Sequence, residues 1–119
     1  VRAHDPQVGK LDLPGGFVDN HETGEQALRR ELHEELGLKD VSARYMASFP
    51  NTYHYAGVDY QTLDLIYVIE LGERPSLQAA DDILAIRWIA VEDIPFEQIA
   101  FDSARNALRY YTSSVFQRQ

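Results

Sequence analysis

Cysteine is absent from all 119 residues. Its absence excludes disulfides, thiolate catalysis and cysteine-ligated zinc, and it suits the cytoplasm, where the protein is expected to work. Basic residues are scarce: 11 Lys and Arg stand against 19 Asp and Glu, for a formal charge of -8. Nucleic acid is therefore not an expected partner, since binding it needs clustered positive charge. No apolar run approaches the ~20 residues that span a membrane, and no basic-then-apolar signal opens the chain, so no membrane partner is expected. Repeats, linkers and low-complexity segments are also missing. An apolar content of 45% and a charged content of 25% are ordinary, and the length suits one small domain, residues 1–119. Val1-Arg2-Ala3-His4 reads like the end of a strand, so the domain is expected to be N-terminally incomplete.

Against these absences stands a crowd of carboxylates. Leu13 to Leu38 holds five glutamates behind the turn Pro14-Gly15-Gly16. Thr23 and Gln26 have capping-box spacing, so a helix is expected to start near residue 23 or 24. Ala27, Leu28, Leu32 and Leu36 supply its buried face, and Gly37 closes it as a C′ glycine with Leu38 packing back. With Leu28 as zero, Glu35 falls at about -20°, Glu31 at about -60° and Glu34 at about -120° on the helical wheel. The three carboxylates flank the apolar stripe, and Arg30 is expected to point away from them. Like charges so placed repel, more so where burial lowers the dielectric. Magnesium, a hard cation preferring carboxylate oxygen and water, reverses the sign. A solvated acidic face has the same spacing, but the grouping beside the core edge favours a metal.

Elsewhere, His4 to Lys10 reads as a loop and Leu11-Asp12-Leu13 as a short strand. Val41 to Phe49 is strand-like, ending at Pro50-Asn51. Asn51 to Asp59 is a hairpin-like connection whose Tyr53 and Tyr55 are candidates for stacking on a base, although such aromatics are more often ordinary hairpin residues. Gln61 to Leu71 is the strongest strand. Leu63, Leu65, Tyr67, Ile69 and Leu71 lie on one face and Ile66 and Val68 on the other, the pattern of a central strand covered on both sides. Gly72 to Asp82 is a loop ending in Asp81-Asp82, followed by a strand from Ile83 to Ile89. Val91 to Ile94 is a helical turn stopped by Pro95. Asp102 or Ser103 is expected to cap a last helix with a buried stripe of Ala104, Leu108, Tyr111 and Val115.

The carboxylate stretch resembles the signature of the Nudix hydrolases: Gly, five residues, Glu, seven residues, Arg-Glu, an aliphatic, one residue, Glu-Glu, one residue, Gly, an aliphatic. Gly16, Glu22, Arg30-Glu31-Leu32, Glu34-Glu35 and Gly37-Leu38 fill every specified position. Several fixed positions at fixed spacing are far more specific than a lone glycine motif. A looser likeness extends through Leu13-Pro14-Gly15 and Ile86-Arg87-Trp88-Ile89. The resemblance implies an α/β fold, an α/β/α sandwich around a mixed, partly curled sheet, with the box as a loop-helix-loop and an opening strand ahead of Val1.

The resemblance also implies a reaction: hydrolysis, with Mg2+ or Mn2+, of the pyrophosphate bond of a nucleoside diphosphate linked to another group. By that likeness Glu31, Glu34 and Glu35 hold the metal with a backbone carbonyl of Gly15 or Gly16. Glu22 accepts hydrogen bonds from Arg30 and orients the ligands. Glu34 is the first choice of general base, with Asp81 and Asp82 as loop candidates. Two departures bear on specificity. Leu11 stands where many members carry an aromatic, and Ser48-Phe49-Pro50-Asn51-Thr52-Tyr53 is only partly similar to the longer motif of NADH pyrophosphatases. The first leaves specificity open, and the second favours ADP-ribose- or NADH-like substrates over nucleoside triphosphates. The other readings are a Nudix-like sensing domain of a larger regulator and a purely structural acidic helix. Family members commonly pair, which implies a homodimer.

Overall fold

A computed structural model of the chain describes residues 1–4, 6–75, 77, 83 and 85–115, with Val115 by its backbone alone. Asp81 and Asp82 lie outside the described residues, as does the Val115 side chain. The first helix, α1, spans Gly24–Leu36. Thr23 caps it: its Oγ1 accepts from the Gln26 N–H at 3.1 Å, and the Gln26 side chain accepts from the Thr23 N–H at 2.8 Å. At the other end Gly37 takes φ 72°, a left-handed conformation glycine enters without strain. The Leu38 N–H then reaches back to the Leu32 carbonyl at 3.2 Å, closing the helix. Ala27, Leu32 and Leu36 are buried.

The sheet is a long antiparallel hairpin of β1, Ser42–Tyr55, and β2, Val58–Glu70. The sequence suggested a strand ending at Pro50 and a connection from Asn51 to Asp59. Instead β1 runs through both, and the connection is only Ala56-Gly57. These residues have φ 52° and 78°, the paired positive angles of a two-residue turn whose twist matches the strands it joins. Among the described residues β1 pairs only with β2, so Pro50, opposite Leu63, can turn its donorless nitrogen to the unpaired side. The ladder slips by one residue between Tyr45 and Ala47.

β2 is not covered on both faces along its length. Leu63 is 64% exposed and Leu65 42%. Alternation places Leu65 and Tyr67 on the face towards the start of α1, where a Cβ on Gly24 would lie 2.8 Å from each. Asp64, on the opposite face, meets the second helix. The first face is covered only at its Tyr67 end, which leaves Leu63 bare.

The second helix, α2, spans Asp102–Tyr110 and continues into a π-type turn, Tyr111–Val115. Neither Asp102 nor Ser103 caps it. Phe101 occupies the cap position, Asp102 pairs with Arg105 at 2.5 Å, and Ser103 is buried. The Ser103 hydroxyl, expected as a cap, is turned into the protein, towards Asp64. The buried stripe is Ser103, Ala104 and Ala107, with Leu108 packed on the core cluster of Leu11, Ile99 and Ala104. Two short 3-10 turns, Val91–Asp93 and Phe96–Gln98, lead into it.

Among the described residues the expected strands at Leu11–Leu13 and Ile83–Ile89 each show one bridge: Leu11 beside Ile99, parallel, and Arg2 beside Ile83, antiparallel. Gly9 at φ 81° on one side and Gly15 on the other leave Leu11 little length to pair. The hairpin and the two helices give the α/β architecture, and the sheet expected to be mixed is antiparallel among the described residues, the parallel bridge lying outside it. No described helix is long and apolar enough to cross a membrane.

Candidate active site

The loop before α1 is fixed by one guanidinium. Arg30 donates from Nε to Glu22 Oε2 at 2.8 Å and from Nη2 to Glu22 Oε1 at 3.0 Å and to the Phe17 carbonyl at 3.0 Å. Its Nη1 donates to Glu31 Oε1 at 2.8 Å and Glu34 Oε2 at 3.3 Å. Glu22 also accepts from the Asp19 N–H at 2.8 Å. Hydrogen bonds from Arg30, then from Asp19, pull the Glu22 carboxyl below its ordinary range, and the same carboxylates raise the Arg30 guanidinium further above its own.

This overturns the expectation that Arg30 points away from the acids. Residues four apart are neighbours on a helix, so Arg30 and Glu34 share a strip. The long side chain then curls to Glu31 as well. Arg30 thus joins the loop to the helix and partly neutralises two of the three box glutamates.

Gly16 sets the distance between loop and helix. A Cβ at this position would run into the Glu31 carboxylate, with Oε2 only 2.9 Å away. Backbone and carboxylate therefore approach as only a glycine permits. Glu31 is half-buried, with 15% of its side chain exposed, whereas Glu34 is 58% exposed. Glu35 is half-buried and Gly15 and Gly16 are exposed.

The side chains that meet this cradle, Glu31 with Glu34 and Glu22 around Arg30, offer carboxylate oxygen, the chemistry that a hard divalent cation takes. Among the described residues no three acidic or imidazole groups converge into a ready cage, since Glu31 and Glu34 lean on Arg30. The residues suit a cation in kind, and holding one requires those two carboxylates to turn away from Nη1.

Beside the box lies a cavity of about 440 Å³. Gly15, Gly16 and Glu31 line one side, Phe17, Tyr53, Phe101 and Leu63 give it apolar walls, and Asp12 and Asp64 contribute charge. Tyr53 meets Phe17 edge-on at 5.8 Å and Phe101 at 5.5 Å. Tyr55 stacks on Tyr53 at 6.3 Å but lines a separate shallow site with Pro6 and His54. The structure therefore brings Tyr53 to the box and leaves Tyr55 further out.

Asp12 pairs with Arg2 Nη1 at 3.0 Å and accepts from the Leu13 N–H at 2.8 Å. Burial nevertheless pushes its carboxyl up, and the charge of Asp64 adds to the rise. Asp64 accepts from Thr62 Oγ1 at 2.8 Å and Ser103 Oγ at 2.5 Å. Sequence reasoning passed over Asp12, Asp64, Ser103 and Arg2. The available signal was a lone Asp inside each of two apolar stretches, Leu11-Asp12-Leu13 and Leu63-Asp64-Leu65.

Comparison with known proteins places this geometry. The NUDIX domain profile matches residues 1–111. An ADP-ribose pyrophosphatase of Methanocaldococcus jannaschii is 32% identical over 105 residues, 85% of this chain and 57% of that protein. The NAD-capped RNA hydrolase NudC of Escherichia coli is 31% identical over 80 residues, 67% of this chain and 29% of its own. An 8-oxo-dGTP diphosphatase of Haemophilus influenzae is 49% identical over 43 residues, 36% of this chain and 32% of that one. The chain thus spans from about three-tenths to under three-fifths of the length of these relatives. The crystal structure of a NUDIX hydrolase from Nitrosomonas europaea shares the fold, with a TM-score of 0.69 and 24% identity over 99% of this chain and 63% of that one. With nearly its whole length matched and every box position filled, the chain belongs to the NUDIX family.

Proposed function

We propose that this protein hydrolyses the pyrophosphate bond of a nucleoside diphosphate linked to another group, with Mg2+ or Mn2+ as its cation. The observation that carries the reading is the approach of Gly16 to the Glu31 carboxylate, held by Arg30 and Glu22. It sets the loop backbone at Gly16 against the Glu31 carboxylate beside a cavity that Gly15, Gly16 and Glu31 all line. Glu31, Glu34 and Glu35 hold the cation, with the Gly15 or Gly16 carbonyl. A bound divalent cation supplies charge screening for the phosphates and a more acidic coordinated water.

The chain's own groups do the rest. Glu34, far more open at 58% than Glu22 or Glu31, takes the proton of the attacking water at a side-chain oxygen as the water forms its bond to phosphorus and the bridging P–O bond breaks. Arg30 keeps the loop at its distance from the helix, and Glu22 keeps Arg30 in place. Tyr53 forms part of the cavity wall, whereas Tyr55, Asp81 and Asp82 have no part in the reading.

Among relatives that cover two thirds or more of this chain, one over 85% is named for ADP-ribose, those over 75% for 8-oxo-dGTP and those over 67% for NAD-capped RNA. The names divide between the two classes, and the longer match to the ADP-ribose enzyme, with the partial likeness of Ser48 to Tyr53 to NADH pyrophosphatases, sets an ADP-ribose- or NADH-like molecule ahead of a nucleoside triphosphate. The test is turnover of ADP-ribose, NADH and nucleoside triphosphates with and without Mg2+. Activity is expected to need metal and to collapse in Glu34→Gln and Glu35→Gln while the melting temperature holds. Full turnover by both variants would sink the reading.

A further inference from the structure

We propose that the cavity beside the box takes the non-phosphate end of the substrate, a neutral ring group carrying hydrogen-bond donors, and that Asp12 and Asp64 select it. This rests on the pyrophosphohydrolase reading above and adds to it the specificity-determining residues.

Charge decides which end of a substrate enters. Besides Glu31 of the box, two carboxylates, Asp12 and Asp64, border the cavity, and Arg2 is committed to Asp12 at 3.0 Å and to the Pro6 carbonyl at 2.7 Å, with its guanidinium over the Phe101 ring at 4.8 Å. A phosphate here would meet like charge at reduced dielectric, so phosphates stay by the box and the uncharged part turns inward. A carboxylate has about four acceptor sites. Asp64 uses one on each oxygen, for Thr62 and Ser103, and Asp12 likewise for Leu13 and Arg2. Acceptor capacity remains on both and favours N–H or O–H donors. Phe17, Tyr53 and Phe101 give flat apolar contact to a ring. Ser103 is 2% exposed and Asn51 9%, so the border is firmly built. Gly15, Gly16 and Glu31 line the same cavity, which lets one substrate reach both places.

The donors come from a nucleobase edge or from sugar hydroxyls, and paired substrates separate the two. One pair is ADP-ribose with its hypoxanthine counterpart, which replaces the amino donor by a carbonyl. The other is ADP-ribose with an analogue lacking a hydroxyl on the terminal ribose. The wild type is expected to discriminate within one pair by about tenfold in kcat/KM, the worth of one hydrogen bond. Asp12→Asn and Asp64→Asn should each bring that ratio towards unity, mainly through KM, in protein that remains folded at the assay temperature. The pair that responds identifies the group. Should Asp64→Asn fail to fold, Ser103→Ala, which frees one Asp64 oxygen, should shift the same ratio.

Calorimetry with adenosine and with D-ribose, without metal, provides an arm independent of turnover. One of them should bind the wild type and lose affinity in Asp64→Asn. Folded variants with unchanged discrimination, or a wild type binding neither compound, would overturn the proposal. A wild type that binds one of them but turns over no substrate would instead remove the pyrophosphohydrolase reading.

Discussion

Arg30 grips Glu22 with two of its three guanidinium nitrogens, at 2.8 and 3.0 Å, and lays the third against Glu31 at 2.8 Å. The edge towards Glu22 also reaches the Phe17 carbonyl, so it fastens the loop. The remaining nitrogen stands among the carboxylates proposed to bind metal and offsets their repulsion. One side chain thus serves two neighbours that must respond differently when a cation arrives. The loop contact can stay, whereas the Glu31 and Glu34 contacts must open.

Arg30→Lys keeps the charge and loses the fork, since an ammonium is a point charge and cannot span both oxygens of Glu22 and a carbonyl. The expected outcome is faster hydrogen exchange over Phe17 to Glu22 and a fall of about 10- to 100-fold in cation affinity, the usual cost of losing a group that orients metal ligands. Calorimetric titration with Mn2+ reads the second effect. Affinity within twofold of wild type would show that the fork has no such role.

Gly16→Ala separates fold from site. The added methyl meets the Glu31 carboxylate, the end of a flexible side chain that can swing aside. Stability should change by no more than about 0.5 kcal/mol, as for surface substitutions away from the core. Cation affinity and turnover should fall, because Glu31 can no longer lie against the loop backbone. Matched urea denaturation and Mn2+ titration test the split.

Two carboxylates give acid behaviour of opposite sign. Glu22 titrates lower in the folded state than in the unfolded one. Its contribution is present above its ordinary range and is lost as pH falls through the depressed folded value. Asp12 titrates higher when folded, because of burial. Its contribution is present below its ordinary range and is lost as pH rises through the raised value. Glu22→Gln should therefore lose less stability than wild type on acidification, and Asp12→Asn less on returning from acid to neutral pH. Chemical denaturation across that range decides both.

The box helix was legible because its signals are local. Thr23, Gln26 and Gly37 act within a few residues of themselves, and Ala27, Leu32 and Leu36 repeat at the helical period. The hairpin was partly legible. Pro50 looked like a strand end because proline removes a ladder donor, which costs nothing where the strand has no neighbour. The cavity was not legible, because it depends on Asp64 meeting Ser103 across 39 positions. Pairing at that distance leaves no periodic trace, and Ser103 reads equally well as a helix cap.

Ser103→Ala tests that pairing as structure. Ser103 is buried, and its hydroxyl donates to a carboxylate at 2.5 Å. Its loss leaves an Asp64 oxygen short of a donor in a half-buried place, a cost of about 1–3 kcal/mol. For a chain of this size that lowers the melting temperature by roughly 4 °C or more per kcal/mol. A double-mutant cycle with Asp64→Asn isolates the contact, and the coupling should reach about 0.5–3 kcal/mol. Additive losses would mean that the hydroxyl and the carboxylate stabilise the fold separately, through other neighbours.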